Sequence, residues 1–126
     1  MNYEIGEFSK ITDTSIHTLR YYEKEKLIVP ERKENGHRKY SELDVAWMEL
    51  IKNLKDTGMP IKEIQAYAQL RAAGDSTMPQ RIVMMEKHRV SLKKQIALLQ
   101  KHLQRLDTKI AYCHEVMEKQ GLLQAK

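Results

Sequence analysis

Ile5, Phe8 and Ile11 recur three apart at the start of the chain and outline a first helix of about two turns. Thr12-Asp13-Thr14-Ser15 follows, a cluster of turn and cap residues, with Ser15 or Thr14 placed to cap a second helix. In that second helix Ile16 and Leu19 face inward, and Tyr22 or Glu23 lies along the same side. His17, Thr18, Arg20 and Tyr21 then point outward. From Leu27 to Tyr40 no helical period survives: Pro30 marks an extended segment, and Asn35-Gly36 is the strongest hairpin signal, because both residues tolerate positive φ. Ser41 caps a third helix with Glu42 and Asp44 in its first turn, apolar along Leu43, Ala46, Trp47, Leu50, Ile51 and Leu54. Gly58 ends it, and Pro60 opens a fourth helix with Ile61, Ile64 and Tyr67 inward.

The pattern breaks over residues 72–77 and then becomes regular again. Ile82, Met85, Arg89, Leu92, Ile96, Leu99, Leu103, Leu106, Ile110, Cys113 and Met117 alternate spacings of three and four. Ten of these eleven positions are apolar, which makes the stretch a heptad repeat and predicts a coiled coil. A helix over 80–119 is about 60 Å long and cannot bury such a seam alone, so a second copy is expected against it. A parallel pair would set Arg89 against Arg89, a like-charge contact that an antiparallel pair removes. Val83, Met84, Val90, Leu98 and Ala111 lie off the seam and form a second face, suited to packing on the globular part. The predicted organisation is mainly α: a winged helix-turn-helix domain over 1–72, a linker over 73–79, a dimerisation helix over 80–119 and a short tail over 120–126.

Composition agrees with a mostly helical chain, at 31% charged residues with five glycines and three prolines. One cysteine excludes an intrachain disulfide and points to a reducing compartment. No apolar stretch approaches about 18 residues and Glu4 and Glu7 interrupt any signal-like start, so a soluble, cytoplasmic protein with no membrane partner is expected. The net charge of +5 is distributed unevenly: residues 1–70 hold 11 basic and 12 acidic side chains, whereas 71–126 hold 11 and 5. Within 17–40 the count is 7 against 4, so the positive signal is a local patch.

The order helix, turn, helix, basic hairpin is that of a winged DNA reader. A second helix with hydroxyl, guanidinium and phenol groups outward suits a groove, which makes Ser15, His17, Thr18, Arg20 and Tyr21 candidates for DNA contact. Arg38, Lys39 and Tyr40 are candidates in the wing. Lys62 is one in the first turn of the fourth helix, where terminal amides also favour phosphate. The seam residues other than Arg89 are the dimerisation candidates. Cys113 reads as a small buried seam residue. A reactive thiol there would need exposure and a lowered pKa, for which His114 and Lys109 give only a hint. A metal site of Cys113, His114 and His102 is not expected, because three ligands at these spacings do not converge from one helix. Trp47 reads as core. No Ser/His/Asp set, glycine-rich phosphate loop or paired carboxylates stand out, so neither an enzyme nor a cofactor is expected.

Three segments carry a further likeness: Thr18-Leu19-Arg20-Tyr21-Tyr22-Glu23, then Asn35-Gly36-His37-Arg38-Lys39-Tyr40-Ser41-Glu42-Leu43-Asp44, then Leu54-Lys55-Asp56-Thr57-Gly58-Met59-Pro60-Ile61-Lys62-Glu63-Ile64. With the heptad helix after them, they resemble the MerR family of bacterial transcription regulators over essentially the whole chain. The resemblance implies a winged-helix domain joined to an antiparallel dimerisation helix. It also implies a homodimer that binds a near-palindromic promoter site, with RNA polymerase at that promoter, and that twists and bends the DNA when activated. Two residues depart from the family pattern: Lys26 stands where glycine is common, and His37 where tyrosine is common in the wing.

One cysteine cannot supply the clusters of the metal and redox branches. The chain looks closest to the short-tailed, aldehyde- and electrophile-responsive branch, although Asn53 fills that branch's usual cysteine position. Two sensing modes remain open, a non-covalent small-molecule effector or an electrophile acting through Cys113. From another class, the alternative is a coiled-coil interaction module that docks protein and binds no DNA, favoured by the acid-heavy balance of residues 1–70.

Overall fold

A computed structural model of the chain describes residues 2–121. Its elements in order are β1 (Asn2–Tyr3), α1 (Ile5–Ile11), α2 (Ile16–Lys24), β2 (Glu31–Arg32), β3 (Arg38–Ser41), α3 (Glu42–Asp56), α4 (Ile61–Ala72), one 3₁₀ turn (Asp75–Thr77) and α5 (Met78–Lys119). They divide between Met85 and Glu86 into two units.

In the first unit three successive helices end in the same way. At each, the residue after the C-cap takes a left-handed conformation, and two backbone N–H groups fold back on the last carbonyls. For α1 these are Asp13 N–H on Lys10 O and Thr14 N–H on Ser9 O. For α2 they are Lys26 N–H on Glu23 O and Leu27 N–H on Tyr22 O, and for α3 Gly58 N–H on Lys55 O and Met59 N–H on Leu54 O. Only the third uses glycine; Asp13 (φ 49°) and Lys26 (φ 61°) accept the strained conformation. Lys26 thus keeps the left-handed geometry without the glycine's freedom.

Starts are equally explicit. Ser15 Oγ accepts from Thr18 N–H at 3.1 Å, and Ser41 and Asp44 form a reciprocal capping box at the head of α3. The hairpin between β2 and β3 closes with Gly36 N–H on Lys33 O at 2.9 Å and Lys33 N–H on His37 O at 2.8 Å. Of the Asn35-Gly36 pair only Gly36 has positive φ; Asn35 instead accepts from His37 N–H through its side chain at 3.0 Å. Of the two residues that tolerate positive φ, the hairpin uses the glycine.

β1 was not legible in the hydrophobic pattern. It pairs with β3, Asn2 opposite Ser41 and Tyr3 opposite Tyr40, giving an antiparallel sheet in the order β1-β3-β2. The Tyr3 hydroxyl donates to Glu42, and that bond to a carboxylate pushes the Tyr3 pKa up.

The core of this unit joins Phe8, Leu19, Tyr22, Tyr40, Trp47, Ile51 and Ile64 with Leu27 and Ile28 from the irregular stretch. Trp47 lies within it, its ring stacked on Tyr67 at 5.4 Å and its Nε1–H donating to Leu27 O at 2.7 Å. Leu19, Trp47, Ile51, Leu54, Ile64 and Tyr67 are buried as expected, but Ile16, Leu43 and Ile61 in the first helical turns are exposed, and Met48 is buried. Met84 and Met85 from the start of α5 pack on the same core. α5 begins two residues before position 80, directly after the 3₁₀ turn. Arg81 closes that junction, nearly buried, with Nε on Thr77 Oγ1 at 3.1 Å and a terminal nitrogen on Gly74 O at 3.2 Å.

The second unit contains the rest of α5. Residues 122–126, most of the expected tail, lie outside the described residues.

Candidate nucleic-acid interface

Leu19 and Tyr22 anchor α2 in the core, and the helical step turns the positions beside them outward. His17, Arg20 and Tyr21 are exposed, as the pattern predicted, whereas Thr18 is half-buried. The head of this helix is held from three sides. Ser15 Oγ donates to Thr18 Oγ1 at 2.8 Å while capping the helix. Ser9 Oγ donates to Thr14 O at 2.6 Å. Lys52 reaches from α3, its ammonium donating to the carbonyls of Thr12 and of Asp13, the latter at 2.9 Å. The turn between the two helices is thus fixed by a lysine that the sequence pattern did not single out.

The wing cations are each met by an acid. Arg38 Nε lies 2.8 and 2.9 Å from the two carboxylate oxygens of Glu23 on α2. A terminal nitrogen of Arg32 lies 3.5 Å from the same carboxylate, and its other terminal nitrogen donates to Gly36 O at 3.1 Å. Lys39 pairs across the hairpin with Glu31 at 3.3 Å. Lys33 pairs with Glu4 at 2.8 Å, and that hydrogen bond holds the Glu4 carboxyl below its usual range. Three of the 12 acids of residues 1–70, Glu4, Glu23 and Glu31, therefore stand against the wing, a pairing that residue counts alone do not reveal.

Tyr40 is not at the interface. It is 0% exposed and stacks on Phe8, its hydroxyl buried without a hydrogen-bond partner in the structure, so the expected DNA contact from Tyr40 is corrected to a core role. Arg38 and Tyr40 share one face of β3, and Tyr40 is buried where its ring meets Phe8 of α1. Lys62 is exposed in the first turn of α4.

Along α5, Ile96, Leu99, Leu103, Leu106 and Ile110 present their side chains outward, between 48 and 66% exposed. Cys113 and Ile82 are also exposed, and Leu92 and Met117 are half-buried. Met85 differs from its expected seam role: its sulfur receives the Tyr67 hydroxyl at 3.6 Å, so the first unit's own core claims it. Of the off-seam face, Met84 packs on that core, whereas Val83, Val90 and Leu98 are exposed. Among the described residues no group of three or more His, Cys, Asp or Glu side chains is placed to hold a metal ion, and no helix is long and apolar enough to cross a membrane.

Comparison with known proteins places this geometry. Residues 3–70 match the model of the MerR HTH family regulatory proteins, and residues 45–116 match a second model described as MerR, DNA binding. An uncharacterized HTH-type transcriptional regulator of Haemophilus influenzae is 34% identical over 113 residues, covering 89% of this chain and 84% of its own. Among solved structures, HiNmlR, a MerR family regulator lacking the sensor domain and bound to promoter DNA, is 33% identical, with a TM-score of 0.79 and 96% of each chain covered. A putative MerR family transcriptional regulator from Listeria monocytogenes is 32% identical, with a TM-score of 0.84, covering 94% of this chain and 92% of its own.

Proposed function

The chain belongs to the MerR family of helix-turn-helix regulators, proteins that bind DNA and regulate transcription, and on that premise we propose how it does so. It acts as a homodimer on a near-palindromic promoter site. In each half-site α2 enters the major groove, with Arg20 and Tyr21 at base edges or the adjoining backbone and His17 and Thr18 beside them. The wing, through Arg38 and Lys39, and the first turn of α4, through Lys62, take phosphates. Two α5 helices pair antiparallel and hold the readers at a fixed separation, so that binding of one half-site makes the second effectively intramolecular. The signal then alters the shape of the promoter DNA, where RNA polymerase reads the result.

The observation that carries this reading is the row Ile96, Leu99, Leu103, Leu106 and Ile110, apolar at heptad spacing and about half or more exposed. A single helix gains nothing from such a row, whereas a paired copy buries it. Of the 12 acids in residues 1–70 that favoured a protein-docking module, three, Glu4, Glu23 and Glu31, are paired with wing cations. Sedimentation of the free protein and footprinting on its own promoter test the proposal. A dimer protecting two related half-sites is expected, and a monomer protecting one stretch would overturn the assembly.

The effector is taken to be a small molecule that binds without a covalent bond. Cys113 lies at a seam position and is covered when two α5 helices pair.

A further inference from the structure

We propose that Glu23 sets the balance between affinity and specificity at the DNA interface. It locks the wing to the reading helix and withholds positive charge from any duplex. The inference rests on α2 and the wing facing DNA.

Glu23 is a half-buried carboxylate near the C-terminal end of α2, one turn beyond Arg20. Arginines from both strands of the wing converge on it: Arg38 of β3 through Nε at 2.8 and 2.9 Å, and Arg32 of β2 through a terminal nitrogen at 3.5 Å. A carboxylate has lone pairs enough for both guanidinium groups. Arg32 also grips Gly36 O at the hairpin tip, so one side chain ties both strands and the turn to the reading helix. β3 is already held by β1 and by the Phe8–Tyr40 stack, and the ionic knot adds a direct tie from the β2–β3 hairpin to α2.

Two consequences follow from the chemistry. The knot orients Arg38 by the Nε edge of its guanidinium, so the wing presents its cations in one register with α2. A site whose phosphates match that register gains from it, and a mismatched one does not. Glu23 also subtracts one charge from a segment with 7 basic and 4 acidic residues, which lowers attraction to every duplex alike. Together they favour operator over random DNA.

Glu23→Gln keeps the shape and one acceptor oxygen but removes the charge. Binding is measured across a salt series on the operator and on a random duplex of equal length, with a melting curve for each protein. The variant should bind random DNA severalfold more tightly at low salt. Its salt slope should steepen by about 0.9 for each arginine that turns to a phosphate. Its operator-to-random ratio should fall. Adding Arg32→Met and Arg38→Met to Glu23→Gln should abolish that steepening and take the slope below that of the wild type, because Arg38 is itself a phosphate contact. A merely structural role would lower binding to both duplexes and raise neither.

Glu23→Asp retains the charge but shortens the arm. It should leave the random-duplex slope unchanged while the operator ratio falls, and it serves equally if Glu23→Gln does not fold. Random-duplex affinity and slope unchanged in a cooperatively melting Glu23→Gln protein, or equal losses on both duplexes for Glu23→Asp, would overturn the inference. A wild type that binds no duplex would instead overturn the DNA reading beneath it.

Discussion

Phe8 and Tyr40 lie ring on ring, centroids 4.2 Å apart and planes within 7° of parallel, and this stack fastens α1 to the central strand of the wing sheet. Both rings are 0% exposed, and the Tyr40 hydroxyl is buried without a hydrogen bond among the described residues. The tyrosine thus serves the core with its ring, while its oxygen has no hydrogen bond to offset lost hydration.

Tyr40→Phe is therefore expected to preserve operator binding and to raise stability at neutral pH by about 1 kcal/mol, read from denaturant melts. Burial pushes the Tyr40 pKa above its ordinary value of 10.0. A raised folded-state pKa means that the unfolded chain ionises first. The associated stability is complete below pH 10 and is lost as pH rises beyond it. The phenylalanine variant should lose less stability than the wild type in that alkaline window. Lost operator binding with an intact fold would return Tyr40 to the interface.

Lys26 holds φ at 61° in a helix-terminal motif that α3 closes with Gly58. Lys26→Gly should relieve that strain and stabilise the protein by about 0.5–1 kcal/mol, after the glycine's larger unfolded-state entropy is subtracted. Thermal melts decide it, and a destabilised glycine variant would mean that the lysine stem contributes packing that offsets its backbone cost.

The legible parts of this fold were those with local chemistry. Ser15 and Ser41 as caps, Gly58 as a stop, Gly36 in the hairpin and the heptads after residue 80 each announce themselves within a few residues. What stayed hidden depends on distant partners. A two-residue strand such as β1 has no period to read, and its partner Ser41 lies far along the chain. Leu43 and Ile61 sit in first helical turns, where a small rotation moves an apolar residue from core to surface. For the candidate site, the outward set on α2 was read from the inward pair Ile16 and Leu19, of which the structure buries Leu19 and sets Tyr22 in place of Ile16. The burial of Tyr40 was not legible, because Arg38-Lys39-Tyr40 reads as one polar run until the stack on Phe8 buries its third member. Glu23 and Lys52 were invisible as site residues, because their partners are brought near only by folding.

Leu103 lies mid-row on α5 and is 59% exposed in the single chain. Leu103→Glu would place a charge against the partner helix, so sedimentation should show monomers and operator binding should weaken by the loss of linkage between half-sites. Arg89→Leu should leave the dimer intact or tighter. An undisturbed dimer for Leu103→Glu would refute the heptad assignment.

Cys113 is the sole thiol of the chain. With a non-covalent effector, Cys113→Ser should keep both DNA binding and any induction, measured by transcription with candidate aldehydes on wild type and variant. Induction lost only in the serine protein would assign sensing to the thiol.

The central claim, that α2 reads DNA sequence, is tested most directly by a salt titration of binding to operator and to random duplex, with wild type and Arg20→Ala in parallel. The wild type should lose operator affinity steeply with salt, and Arg20→Ala should bind the operator about 1–3 kcal/mol more weakly while its random-duplex affinity changes much less. Equal losses on both duplexes, or a wild type that binds neither at low salt, would contradict it.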